Sequence, residues 1–350
     1  MKILFVSYDF DNLDNGAQAV IVRNLEMLRR CYGKDNVETF CFPRPSLASA
    51  LSSLCRLSSY GIRKRNAQKL IRQIEHGNYG LVWLESSLWG GLVHQISRLG
   101  VNCTVFAHNM DALLFKQRFA YTKNPADWLK YLLAKRNEAR SFKEASAVIT
   151  LNERDNADMQ CLYGRQADLI LPISFPLREV KGDTDDGVRY CLFVGSDFFP
   201  NVQGMEWFIE QVALRISMDL WVVGRCCRHF EGRTLPANVR LKGRVDNLDN
   251  SYLSAACVVA PIFMGSGMKT KTVEAMSYGK TIIGTEEAFV GIEGDYERIG
   301  ALCHTAEEFV KAINALPVGT FNPYVYKLFE ERYSDDSVLK AYKKRFADKK

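Results

Sequence analysis

Residues 257–285, CVVAPIFMGSGMKTKTVEAMSYGKTIIGT, constrain the fold more than any other stretch of the chain. An apolar, β-branched run from Cys257 to Ile262 stops at a glycine-spaced turn, Gly265-Ser266-Gly267. A helix-forming run follows from about Met268 to Tyr278, Gly279 ends it, and Thr281–Thr285 starts a second buried strand. Strand, turn, helix and strand make one βαβ unit. The backbone N–H groups at the helix start, with the helix dipole behind them, favour an anion. Lys271 falls in the first turn and Glu274 three residues on, along the same face. The unit offers a phosphate seat, a cation beside it and a carboxylate within reach of hydroxyl groups. The plain alternative is an exposed Lys–Glu pair above an ordinary turn.

The same alternation runs through the chain. In the first half the strands are expected at Lys2–Ser7, Val37–Phe42, Leu81–Glu85, Cys103–Asn109, Ala147–Thr150 and Ala167–Ile173. Helical patterns lie between them at Gly16–Tyr32, Ile62–His76, Ser87–Leu99, Ala126–Ala145 and Glu153–Tyr163. Residues 174–187, SFPLREVKGDTDDG, are polar, carry Pro176, two glycines and Asp183, Asp185 and Asp186, and read as a linker. The pattern then restarts with strands at Tyr190–Ser196, Asp219–Arg225, Arg240–Val245, Cys257–Ile262, Thr281–Thr285 and Ile299–Cys303. Helices are expected at Val202–Val212, Asn247–Ala255, Met268–Tyr278 and Glu307–Ala315, then two in the tail separated by a cap at Ser334-Asp335-Asp336. Strands alternating with helices argue for doubly wound parallel sheets. The expected organisation is an α/β chain of two Rossmann-like domains facing across a cleft: 1–174, a linker 175–187, 188–325, and C-terminal helices 326–350 packing back on the first domain. In such sheets ligands sit beyond the carboxyl ends of the strands.

A chain of 350 residues is too long for one ordinary core, which fits two domains. No stretch approaches ~18 consecutive apolar residues, the length of a membrane-spanning helix. The first residues read as a strand rather than as a signal peptide's basic start and apolar core. The ten cysteines are scattered, several inside apolar strands, with no C-x-x-C pair or histidine cluster to hold zinc. They point to a reduced, cytoplasmic protein. The net charge of +6 is a small excess, and no nucleic-acid-binding signature accompanies it. Part of the excess collects at Arg56, Arg63, Lys64, Arg65, Lys69 and Arg72, with Ile62, Leu70, Ile71 and Ile74 interleaved at helical spacing. One reading is peripheral contact with an anionic membrane; the other is the solvated outer face of an ordinary helix.

The segment Gly265 to Lys280 resembles the donor-site signature of retaining GT-B glycosyltransferases of the family 4 group. Three further segments fit in the right order. Phe193-Val194-Gly195-Ser196 with Pro200-Asn201 and Trp207-Phe208 is similar to that family's second-domain opening. Gly243-Arg244-Val245-Asp246 is similar to its base-contacting loop, and Phe106-Ala107-His108-Asn109-Met110-Asp111 to its first-domain His-Asn motif. The resemblance implies transfer of a hexose from a nucleotide-diphosphate sugar to a hydroxyl of a glycan or lipid-linked glycan, retaining and without a metal or other cofactor. It casts His108, Lys271 and Glu274 as the catalytic group. Gly265, Ser266, Gly267, Met268, Lys269, Thr270, Arg244, Val245, Arg225 and Ser196 would line the donor site, and Gly16, Asn109 and Asp111 the acceptor or sugar side.

The residue chemistry suits those roles. Charge grows on a diphosphate as its bond to the sugar breaks, and one well-placed donor is worth ~3 kcal/mol in such a transition state. Glu274 can accept two hydrogen bonds from a ribose diol. His108, at a strand exit, could donate to a sugar hydroxyl or be a satisfied strand-end histidine. Asp111 could meet the acceptor or cap the next helix. The loop Asp9–Gly16, with Asp11, Asp14 and Asn15, could frame a ligand or be a solvated turn. The chain also departs from the family. Ser266 stands where many members carry a glutamate eight positions before the one matching Glu274, and Ser196 where a phosphate-binding arginine is usual. Arg225 and Lys269 are candidates to replace the lost charge. The departures keep open a catalytically silent nucleotide-sugar-binding scaffold, and the fold keeps open a nucleotide-sugar epimerase.

Overall fold

The computed structural model describes residues 1–9, 16–44, 61–180, 189–317 and 319–347. The chain divides into two compact units. One comprises Met1–Leu13, Ala17–Pro172 and Leu339–Lys350; the other comprises Asp14–Gly16 and Ile173–Val338.

The first unit is built on six parallel strands: β1 (Ile3–Tyr8), β2 (Val37–Phe42), β3 (Leu81–Leu84), β4 (Asn102–Ala107), β5 (Ala147–Thr150) and β6 (Leu169–Ile170). Their order is β2-β1-β3-β4-β5-β6. The helices are α1 (Gly16–Tyr32), α2 (Lys64–Gly77), α3 (Gly90–Arg98), α4 (Asp111–Thr122), α5 (Pro125–Glu144) and α6 (Glu153–Tyr163). Ile3, Leu4, Phe5 and Val6 of β1 are wholly buried, as a central strand covered on both faces requires. Edge strand β2 instead buries only its two ends, Val37 and Phe42, and leaves Thr39 and Cys41 exposed.

The second unit repeats the plan with β7 (Tyr190–Val194), β8 (Asp219–Val223), β9 (Val239–Gly243), β10 (Cys257–Ala260), β11 (Ile282–Gly284) and β12 (Gly300–Leu302). The order is β12-β11-β10-β7-β8-β9. Its helices are α7 (Phe199–Gln211), α8 (Asp249–Leu253), α9 (Thr270–Ser277), α10 (Tyr296–Ile299), α11 (Ala306–Asn314) and α12 (Pro323–Arg332). A last helix, α13 (Asp335–Tyr342), carries the chain from the second unit into the first. Tyr342 is buried there against Trp83 and Tyr32, at ring-centre distances of 6.0 and 6.4 Å.

Both sheets are doubly wound. The strand order reverses between β1 and β3 in the first and between β7 and β10 in the second. At such a reversal the connections diverge to opposite faces and leave a crevice at the carboxyl edge. The β7 exit carries the expected second-domain opening and the β10 exit the expected donor signature, and the topology brings the two side by side.

The expected strands overrun the observed ones at their carboxyl ends: Cys257–Ile262 closes at Ala260, Tyr190–Ser196 at Val194 and Cys103–Asn109 at Ala107. These exits leave the sheet to form the turns beyond it. Helix α4 adds to the expected set. Its apolar Leu113-Leu114-Phe115 run together rather than at helical spacing, so the sequence carries little periodic signal for it.

Helix α2 settles the first basic cluster. Ile62, just before it, and Leu70 and Ile74 on it are buried in the core with Leu4, Val82 and Leu92. Arg63, Lys64, Arg65, Lys69 and Arg72 are turned outward, and all five are exposed. The apolar stripe is used by the core, so α2 keeps no face for lipid, and the membrane contact read there is not supported. Arg56 lies outside the described residues. Among the described residues no helix is long and apolar enough to cross a membrane.

Candidate functional site

Strand β10 ends at Ala260, and the chain turns through Phe263–Lys269 before α9 starts at Thr270. Gly267 sits at φ 65, the left-handed region that glycine enters without strain. The residue before the helix, Lys269, gives it no side-chain cap. Thr272 already donates its N–H to the Lys269 carbonyl at 2.9 Å, so the amides of Thr270 and Lys271 are the ones that remain for another acceptor, at the positive end of an eight-residue helix.

Lys271, in the first turn of α9, reaches across to the exit of β7. Its Nζ donates to Asn201 Oδ1 at 2.7 Å and lies 3.9 Å from the centre of the Phe193 ring. Asn201 in turn donates to the Ser196 carbonyl and hydroxyl, at 3.1 and 3.2 Å. One chain of hydrogen bonds thus ties the helix start to the β7 turn across the reversal point. Among the described residues no carboxylate pairs with this ammonium. Burial pushes the Lys271 pKa down to about 7, the Cys226 thiol pulls it back, and Lys269 lowers it further. An anion entering here would meet a group primed to take up a proton.

Glu274 lies one turn on and turns toward α8. Its Oε2 accepts from the hydroxyl of buried Tyr252 at 3.0 Å. Burial raises its pKa, against the Tyr252 hydrogen bond and the nearby Arg178. Tyr252 stacks on Tyr278 at 4.6 Å with 12° between the rings. Arg178 completes the cluster: its guanidinium covers the Tyr278 ring at 4.4 Å and donates to Asp249 Oδ1 at 3.0 Å. Tyr278 donates to the same oxygen.

Lys269 is placed differently from the other site residues. Its Nζ donates to Glu287 Oε1 at 2.6 Å and to the Gly267 carbonyl at 3.0 Å. Both side chains are largely buried. The Lys269 charge is matched within the protein and braces the glycine turn from inside, so it is not a spare cation replacing a missing one. Ser266 is half-buried, and Gly265 and Met268 are buried beside it. Arg225, half-buried, follows Gly224 at the β8 exit; Arg244, exposed, and Val245, half-buried, follow β9. All these exits share the carboxyl edge of one parallel sheet.

In the first unit His108 leaves β4 and places its Nε2 2.7 Å from Glu85 Oε2. Glu85, buried at the β3 exit, also accepts from Asn24 Nδ2 at 2.9 Å and Trp83 Nε1 at 2.5 Å. The carboxylate fixes which His108 nitrogen carries the proton, and the Phe106 ring, 5.0 Å away, fixes the ring's edge. Asn109 follows, half-buried.

Asp111 does not cap the next helix. It is the first residue of α4, and its backbone N–H donates to Glu138 Oε1 at 2.6 Å. Glu138, fully buried on α5, supplies the cap and also accepts from the Tyr163 hydroxyl at 2.7 Å. Burial pushes Asp111 up to about 6, with His108 opposing, and pushes Glu138 up to about 8 with Asp111 adding to it. Gly16 is the first residue of α1, while Asp11, Asp14 and Asn15 lie outside the described residues.

Glu85, Asn201, Tyr252 and Glu287 join the site from the structure rather than from the sequence. Asn201 alone carries a sequence signal, its place after Ser196 at the β7 exit. The described cysteines are free thiols. Among the described residues no cluster of three or more histidines, cysteines or carboxylates could hold a metal ion.

Solved structures with this fold include HepE from Anabaena, determined with UDP and glucose. It matches with a TM-score of 0.69 at 12% identity, over 99% of this chain and 100% of that one. An alpha,alpha-trehalose 6-phosphate synthase from Burkholderia multivorans matches with a TM-score of 0.61 at 11% identity, over 98% of both chains. TarM from S. aureus, in a mutant form solved with fondaparinux, alpha-GlcNAc-glycerol and UDP, matches with a TM-score of 0.56 at 13% identity, over 81% of this chain and 59% of that one. No curated protein matches the chain by sequence. The fold is therefore GT-B, two Rossmann-like α/β domains. Residues 188–317, within the second of the two units, match the family model of glycosyl transferases group 1.

Proposed function

We propose that the chain transfers a hexose from a nucleotide-diphosphate sugar to a hydroxyl of a glycan or lipid-linked glycan, with retention and without a metal. The observation that carries this reading is the uncapped start of α9 with Lys271 beside it, at the strand-order reversal of the second unit. In the reaction the anomeric C–O bond to the diphosphate breaks and one to the acceptor oxygen forms; the acceptor's proton leaves to the diphosphate or to solvent. The α9 amides and Lys271 meet the charge that grows on the leaving group. Lys271, held near neutrality in the free protein, becomes a full cation as the anion binds. Glu274, aligned by Tyr252, accepts from the ribose hydroxyls. The family resemblance gives His108, aligned by Glu85, the sugar side. Fixed dipoles and one ammonium do the work that a divalent cation would otherwise do. HepE and TarM, solved with UDP, support UDP as the first nucleotide to try. Free, buried thiols suit a reducing, cytoplasmic setting.

A thermal-shift panel of nucleoside diphosphates and their sugar conjugates identifies the donor, because a ligand at 100 times its dissociation constant adds about 2.7 kcal/mol of apparent stability. Release of the nucleoside diphosphate with an envelope-glycan extract then tests transfer. The second reading, a silent donor-binding scaffold, is favoured by Ser266 and by the pairing of Lys269 with Glu287. Donor binding without release above background selects it over the enzyme.

A further inference from the structure

Helices α4 and α5 pack together as a hairpin around the corner Lys123-Asn124. The outer face of this hairpin is unusual for a protein surface. Trp128, Leu129 and Leu132 are 43%, 45% and 46% exposed, and Tyr121, at the end of α4, is 57% exposed. The spacing of 128, 129 and 132 puts all three on one side of α5. The Trp128 ring rests against Phe119 and Tyr131, at 5.2 and 5.0 Å, which holds it as a platform. Lys135 and Arg136, both exposed, follow one turn further along the same side.

The exposed charges of residues 112–137 have one sign. Between residues 112 and 137 the only carboxylate is that of Asp127, and it is buried, accepting from Thr122 and paired with Lys130 and Arg118. Lys116, Lys123, Lys135 and Arg136 are exposed, with no exposed carboxylate on this stretch of the hairpin to answer them. Helix α2 makes the contrast: it too has an exposed basic face, but its apolar residues are in the core. The hairpin combines exposed indole, leucine and tyrosine side chains with a purely cationic rim. That is the composition of an element lying in the interface of an anionic bilayer, where amphipathic rings and leucines enter the headgroup–acyl boundary and lysines and arginines meet lipid phosphates.

We propose that the α4–α5 hairpin docks this protein on an anionic phospholipid membrane through Tyr121, Trp128, Leu129 and Leu132, with Lys116, Lys123, Lys135 and Arg136 at the headgroups. Docking here goes beyond the transfer reaction and does not depend on it, since it is read as binding rather than as turnover. It moves the membrane contact from α2, where the sequence suggested it, to a surface that keeps its apolar side chains exposed.

The test is sedimentation of the full chain with vesicles of phosphatidylcholine alone and of phosphatidylcholine mixed with phosphatidylglycerol. The protein should pellet with the anionic vesicles, weakly or not at all with the neutral ones, and less as salt rises. Each cation at an anionic surface strengthens binding about fivefold, so the pair Lys135→Glu and Arg136→Glu should weaken it more than about tenfold. The pair Trp128→Ser and Leu132→Ser should lose most of the binding. All four positions are exposed, and unchanged circular dichroism and melting confirm the fold. The control pair Lys69→Glu and Arg72→Glu, on α2, should bind as the unmodified protein does. Failure to pellet with anionic vesicles overturns the proposal and leaves a protein partner as the occupant of this face. Undiminished binding by the α5 variants, or an equal loss in the α2 control, overturns it as well.

Discussion

Replacing Lys271 with methionine should make the protein more stable while depriving it of its diphosphate. Lys271 falls from its ordinary value of 10.5 to about 7 because burial penalises the ammonium. The penalty is complete below about pH 7, where folded and unfolded chains both hold the proton. It is relieved as pH rises from 7 toward 10.5, where only the unfolded chain still holds it. Each tenfold difference in proton affinity between the folded and unfolded chains amounts to about 1.36 kcal/mol, which makes the penalty about 4 kcal/mol at pH 7 and about 2 kcal/mol at pH 9. Methionine fills much of the same space but gives up the hydrogen bond to Asn201 and the contact with the Phe193 ring, together about 2 kcal/mol. The variant should therefore be about 2 kcal/mol more stable than the unmodified protein at pH 7, with the difference vanishing near pH 9. Urea unfolding of both proteins at pH 7, 8 and 9 measures it. Nucleoside diphosphate should raise the melting temperature of the unmodified protein and leave the variant nearly unmoved. A variant less stable at pH 7, or a stability difference that does not change with pH, would mean that burial does not penalise the Lys271 ammonium.

The same coupling predicts that diphosphate affinity falls as pH rises above 7, since binding then requires proton uptake by Lys271; titration calorimetry in buffers of different ionisation enthalpy reads that proton directly. Tyr252→Phe removes the partner of Glu274 Oε2, and should weaken nucleotide binding by about 1 kcal/mol while nucleoside monophosphate and diphosphate suffer alike. Glu85→Gln leaves the three donors around it imperfectly paired, so stability should drop by about 1–3 kcal/mol. Its transfer rate should change its pH profile while nucleotide affinity, measured separately, stays put. In a double-mutant cycle Lys269→Met and Glu287→Gln should couple by about 1–3 kcal/mol in stability, with a coupling near zero counting against the brace inside the glycine turn.

The fold is legible in the sequence because its signals are periodic and redundant. Buried parallel strands such as Ile3–Val6 and Cys257–Ala260 read as continuous apolar runs, and helices such as Gly16–Tyr32 and Glu153–Tyr163 keep their expected bounds. Errors gather at the strand exits, where the residues leave the sheet to make turns. The start of α9 is legible too, because two glycines, a lysine and a glutamate fall at one strand exit. The partners of those residues are not. Glu85 meets His108 from 23 residues away, Asn201 meets Lys271 from 70, and neither pairing leaves a spacing that a single sequence displays. Lys269 shows the converse: its position suggests a free cation, and only the fold reveals that Glu287 has taken it. The basic stretch at 63–72 and the hairpin at 111–144 likewise look similar as lists of charges. They differ in which apolar side chains the core has already claimed.

A crystal structure of the full chain with a nucleoside diphosphate shows where the anion sits. The terminal phosphate should lie on the Thr270 and Lys271 amides at about 2.7–3.2 Å, with Lys271 Nζ turned from Asn201 onto a phosphate oxygen. A diphosphate bound elsewhere, with Lys271 still donating to Asn201, would contradict it.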